Sequence, residues 1–248
     1  MKLTNPPLVE AVFAVRWKLS PHKDGYWIDP KYQIALGRFQ SLIEKQFPVW
    51  EKLPMAEAPE QVAAYHPLHR FRVSANQYPM LQLGPGVLTI NNSTGYEWSE
   101  FEDLCMRTVH FLIDAYRDSV IELHNLELRY VNTHPLNELQ SMDFLAQKMG
   151  VIIQLPEGLF SGQAVQRKTT SFNFSAGFEN STPPGVAQIN LRQGKRGTVP
   201  SLLWDFGFLA QKELPDFPEG LPEWLKQARE VAHQWFLALT EKHLLEGY

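Results

Sequence analysis

The sequence predicts an α+β fold, an antiparallel sheet with helices packed on one face, and three observations lead there. Runs of strand-like alternation follow one another through tight turns, as in hairpins. Segments of helical spacing are fewer, so strands and helices do not alternate one for one as a doubly wound parallel sheet requires. The order also reads β-α-β-β-α and then β-α-β-β-β-α, which suggests an internal duplication with halves at 1–121 and 122–248 forming one compact unit.

Residues 8–19 form the first predicted strand. Val9, Ala11, Phe13, Val15 and Trp17 share one face, and Glu10, Val12, Ala14, Arg16 and Lys18 share the other. Asp29 and Pro30 then read as the N-cap and N1 proline of a helix whose apolar face is Tyr32, Leu36, Phe39, Ile43 and Phe47. Residues 51–68, rich in Pro, Ala and Glu, read as a surface connection before a strand at 70–75.

The stretch 78–137 organises the chain. Two strands turn at Gly84-Pro85-Gly86, where glycine supplies positive φ and proline fixes the middle. Thr94 and Glu97 form a capping-box pattern at the start of a helix that carries Phe101, Leu104, Cys105, Val109, Leu112 and Tyr116 on one face. In the next strand Leu126, Leu128 and Tyr130 alternate with Glu127, Arg129 and Val131. Beyond it come a short helix ended by Gly150, strands at 165–176, 186–192 and 202–211 joined by turns at 180–185 and 193–197, and a last helix from Pro222 to about Leu245.

PPLVEAVFAVRW, LQLGPGVLTINN followed by GYEWSEF, and LELRYVN together resemble a sporadically distributed bacterial family of uncharacterised proteins of about this length. The resemblance covers residues 5–136 well and is looser beyond, where Asp205 in a strand and a long C-terminal helix follow the pattern. It implies no reaction. The family's patchy occurrence implies a place in mobile elements or antiviral defence, beside an effector.

The totals are those of an ordinary globular protein: 248 residues, 44% hydrophobic, 20% charged, formal net charge -4. That charge gives no general attraction to nucleic acid or anionic membrane. The single cysteine, Cys105, cannot form an intramolecular disulfide, and no signal-peptide pattern or ~20-residue apolar run occurs, so a cytoplasmic protein off the membrane is expected.

Three residue sets are candidates for function. Glu10, Arg16, Glu127, Arg129 and Asp205 are charges inside apolar strands, where they need partners or solvent. They line a polar ligand cavity or form a structural ion-pair network. His69, Arg70 and Arg72, with Arg192, Lys195 and Arg196 in the second loop, are cations that could grip phosphate, or keep a strand start and a hairpin tip solvated. His66 and His69 have no further metal-ligand partner near them, so no metal or cofactor is expected. Trp27, Trp50 and Tyr65 fall in loops, where large apolar groups mark contact surfaces.

No catalytic constellation emerges. The near match to a nucleophile elbow at 173–177 lacks its first glycine and the following helix. Cys105 sits on an apolar helix face, a poor place for a thiolate. The expected function is therefore non-enzymatic recognition of a protein partner, as an accessory or sensor of a defence or toxin-like system. The alternatives are a small-molecule or nucleotide sensor or enzyme with an Arg-lined pocket, and a nucleic-acid binder using the basic loops.

Overall fold

The computed structural model describes residues 6–93, 95–117, 119–136, 140–162 and 164–240. The strands are β1 (Leu8–Trp17), β2 (Ser20–Pro21), β3 (Trp27–Ile28), β4 (Val49–Lys52), β5 (His69–Arg72), β6 (Met80–Gly84), β7 (Val87–Asn92), β8 (Leu123–Pro135), β9 (Asn173–Ser181), β10 (Pro184–Arg196) and β11 (Val199–Ala210). The helices are α1 (Tyr32–Ile43), α2 (Trp98–Ala115), α3 (Ser141–Met149) and α4 (Leu221–Thr240).

Nine strands form one antiparallel sheet in the order β4-β5-β6-β7-β1-β8-β11-β10-β9, and β2 pairs with β3 as a separate hairpin. The seam is β1 against β8, with Phe13 opposite Leu128. Outward from β1 come β7, β6, β5 and β4; outward from β8 come β11, β10 and β9. In both directions the strand latest in sequence therefore lies next to the seam.

Alternation puts one apolar row across the whole sheet. It runs Trp50, Phe71, Leu81, Ile90, Phe13, Leu128, Phe208, Ala187, Phe178, one residue from each strand. The seven inner members are buried, while Trp50 and Phe178 stand exposed at the two edges. All four helices cover this face. Phe39 of α1 meets Phe71 edge-on, and Trp224 of α4 packs on Phe13 and Phe208. Phe101, Leu104, Cys105, Val109 and Leu112 of α2 are buried in the same core, as their spacing predicts. Phe144, Leu145 and Met149 of α3 pack with Trp204 and Leu202 in a second cluster.

Several boundaries differ from expectation. The run 49–52 is a strand after all: β4 lies at the sheet edge with every residue exposed, so no alternation marks it. β9 occupies 173–181 rather than 165–176, because the hairpin turn to β10 comes late, at Thr182 and Pro183, with Asn180 Nδ2 donating to the Pro183 carbonyl at 2.8 Å. The turn expected at 193–197 narrows to Gly197 and Thr198, since pairing continues to Arg196 opposite Val199. α2 begins at Trp98 with Glu97 in the extended N-cap position; Thr94 lies outside the described residues, as do 241–248 beyond α4. Gly150 caps α3 in the left-handed conformation, φ 67°.

Candidate functional site

The other face of the sheet carries no helix among the described residues, and it is there that the strand charges meet. Alternation alone puts Glu10 with Arg16 and Glu127 with Arg129. The register adds Asp205, which lies opposite Val131, itself opposite Glu10. All five project from the three adjacent strands β1, β8 and β11 on the helix-free side. Two further strands extend the same surface: Arg70 and Arg72 point this way from β5, and Gln188 and Asn190 from β10.

Most of these groups have partners. Arg16 Nη1 donates to Glu127 Oε2 at 3.1 Å and to Asn125 Oδ1 at 3.0 Å. Glu10 Oε1 accepts from Asn91 Nδ2 at 3.0 Å and from the Tyr78 hydroxyl at 3.2 Å. Burial, with the Glu10 carboxylate beside it, pushes the Tyr78 hydroxyl up, so it stays a donor. Asp205 is buried, and Asn190 Nδ2 donates to its Oδ1 at 2.7 Å while Asn190 Oδ1 accepts from Ser175 Oγ at 2.6 Å. Arg70 and Arg72 share the carboxylate of Glu51 at 3.2 and 3.3 Å. Desolvation alone would raise the Glu51 pKa, but the hydrogen bonds from both arginines outweigh it and hold the group low.

Arg129 is the exception. It lies opposite Val12 on one side and Gly207 on the other, so neither neighbour in register offers an acceptor side chain. Its Nε is buried and makes no hydrogen bond, and no ion pair is formed by Arg129 among the described residues. A Cβ at Gly207 would meet Gln188 Oε1 at 3.7 Å and Arg129 Cγ at 3.8 Å, ordinary contact distances, so these two side chains flank the glycine. An unsatisfied guanidinium donor costs about 1–3 kcal/mol. Arg129 Nε is thus the unmet hydrogen-bonding demand among these strand charges.

The other predicted residues are placed less favourably. His69 sits on the opposite side of β5 from Arg70 and Arg72, buried, with its Nδ1 2.7 Å from the Tyr32 hydroxyl. Burial, and then the charge of Lys52, lowers its pKa, so His69 belongs to the core and not to a phosphate-binding surface. Arg192, Lys195 and Arg196 are exposed on β10, six strand positions from β5. At about 4.8 Å per strand the two basic groups are roughly 30 Å apart and do not make one patch. Trp27 and Trp50 are about half exposed, at 53% and 47%. Tyr65 is not a surface aromatic: it is part-buried and stacks on His124, centroids 5.3 Å apart.

Sequence reasoning missed Asn91, Asn190, Ser175 and Tyr78. Asn190 shares its parity with Arg192, but nothing in β10 alone tells that it faces Asp205. It also missed a cavity on the helix side, between α4, β8 and the start of α2, where Tyr96, Tyr130 and Arg229 converge. Among the described residues no helix is long and apolar enough to cross a membrane, and no group of three His, Cys, Asp or Glu could hold a metal ion.

No family model and no curated protein matches this chain. Among solved structures, DynU16, a protein from the dynemicin biosynthetic locus, is similar over 95% of this chain and 98% of its own. The identity is 12% and the TM-score 0.25, too low to support an argument about fold or function.

Proposed function

We propose that this is a binding protein whose helix-free sheet face receives an anionic group at Arg129. The observation that carries the reading is the buried, unpartnered Nε of Arg129 amid charges that each have a partner. The surrounding Glu10, Glu127 and Asp205 accept hydrogen bonds from Asn91, Arg16 and Asn190, and none of them bonds to Arg129. The arrangement offers recognition and no nucleophile held by a base.

Arg129→Met tests this, with sulfate as the probe. Sulfate titration should raise the melting temperature of the wild type by mass action, and that rise should vanish in the variant. The unliganded variant should melt at the same temperature or higher, because methionine fills the stem's volume and removes an unsatisfied charge. Unfolding of Arg129→Met, or an equal sulfate response in both proteins, would return the residue to a purely structural role.

Trp27 and Trp50 favour a second reading, a protein partner. Tryptophan is enriched at protein interfaces, and these two are about half exposed. An accessory or sensor role beside an effector is what the family resemblance implies for such a partner. Trp27→Ser with Trp50→Ser should abolish co-purification of that partner while the variant stays folded by circular dichroism, at a cost of about 2–4 kcal/mol for the buried half of the two rings. Unaltered recovery of the partner by the double variant would rule out these tryptophans as its contacts.

A further inference from the structure

We propose that the cavity between α4 and the sheet is a second ligand site, independent of Arg129, and that it takes a monocyclic aromatic carboxylate. The cavity has a volume of about 170 Å³. Its apolar walls include Phe206 of β11 with Ala232 and Phe236 of α4. A dry apolar cavity of about 150 Å³ accommodates one benzene ring, so one ring with a short polar substituent matches the space.

The polar groups define the substituent. The hydroxyls of Tyr96 and Tyr130 are 2.9 Å apart and hydrogen-bonded to each other. Two hydroxyls carry two protons, and one bond uses only one of them. The second proton has no acceptor among the described residues. Burial raises the pKa of both tyrosines, so both remain donors at neutral pH. Arg229 adds a cation on the same wall. Its guanidinium lies over the Trp98 ring, 5.0 Å from the centroid, and it forms no ion pair among the described residues. Stacking uses the flat face of a guanidinium and leaves its N–H edges free for a bidentate carboxylate. A free hydroxyl proton and an arginine without an ion pair among the described residues, in one largely apolar cavity, call for an oxyanion on a ring.

Isothermal titration calorimetry with benzoate, and with benzamide as its uncharged counterpart, tests the assignment. Benzoate should bind the wild type at least about tenfold more tightly than benzamide, and Arg229→Gln should erase that preference. Ala232→Phe should fill the chamber and remove binding of both compounds. Tyr130→Phe, which keeps the ring and removes a hydroxyl, should weaken benzoate severalfold and serves if Ala232→Phe fails to fold. Saturating benzoate should slow amide hydrogen exchange in the middle of α4, which lines this cavity and takes no part in the opposite face. The proposal is overturned if benzoate gives no saturable heat with the wild type, if Arg229→Gln binds benzoate as well as the wild type does, or if saturating benzoate leaves exchange in α4 unaltered.

Discussion

Replacing Gly84 with alanine is expected to destabilise the protein by about 4 kcal/mol, well above the usual cost of overpacking. A Cβ at residue 84 would lie 1.9 Å from the His66 carbonyl oxygen, 2.8 Å from its carbon and 3.1 Å from Pro67 Cα. All three are main-chain atoms, so no side chain can rotate away. The segment cannot retreat either, since Tyr65 N donates to the Pro85 carbonyl and Leu68 N to the Leu83 carbonyl, both at 2.9 Å. Relief of the clash therefore breaks these hydrogen bonds, at about 1 kcal/mol each, on top of about 1–3 kcal/mol of displaced packing. Gly150 is the control: its φ is 67° but an added Cβ meets nothing within 4 Å, so Gly150→Ala should cost only about 1–2 kcal/mol. Urea unfolding of the two variants side by side decides the matter. If they lose equal stability, the close approach at Gly84 is not what requires the glycine.

The same turn shows what the sequence could tell and what it could not. Gly84-Pro85-Gly86 is legible as a turn, and Gly86, φ 74°, has the conformation that glycine favours. Gly84 has a different reason to be glycine, a contact with a segment 18 residues earlier, and no local pattern encodes such a contact. The sheet as a whole follows this division. Face assignments within β1, β8 and α2 follow from periodicity, and the helices all lie on one side as expected. The edge strands β4 and β9 are nearly all exposed, so hydrophobic alternation was absent where their register had to be found.

The candidate site was legible in halves. Parity within a strand joins Glu10 to Arg16 and Glu127 to Arg129, but only pairing between strands brings Asp205 onto the same face. In the run His69-Arg70-Phe71-Arg72 the alternation is also plain, and Phe71 pulls His69 inward with it. Proximity in sequence suggested one cationic cluster; the strand period splits it across two faces. The Tyr96–Tyr130 pair joins residues on two separate elements, and neither side chain alone distinguishes it from ordinary core.

Asp29→Ala should cost about 3–5 kcal/mol, lowering the melting temperature by on the order of 10 °C. As sequence, Asp29-Pro30 reads as a helix cap. In the fold, α1 starts at Tyr32 with Lys31 in the N-cap position, and the carboxylate does other things besides. Oδ1 accepts from Lys31 N at 3.1 Å, while Oδ2 accepts from the Tyr116 hydroxyl at 2.6 Å and from Trp17 Nε1 at 3.1 Å. Trp17 ends β1 and Tyr116 follows α2, and both are buried. One carboxylate thus ties the start of α1 to two elements remote in sequence. Its removal strands two buried donors, each losing a charge-assisted bond worth about 1.5–3 kcal/mol. Asp29→Asn keeps an acceptor oxygen but loses the charge, so it should recover about half of the loss. Tyr116→Phe removes donor and partner bond together, and its cost added to that of Asp29→Ala should exceed the cost of the double variant. Strict additivity in that cycle would mean that the 2.6 Å contact carries no energy and that Asp29 acts only through its turn.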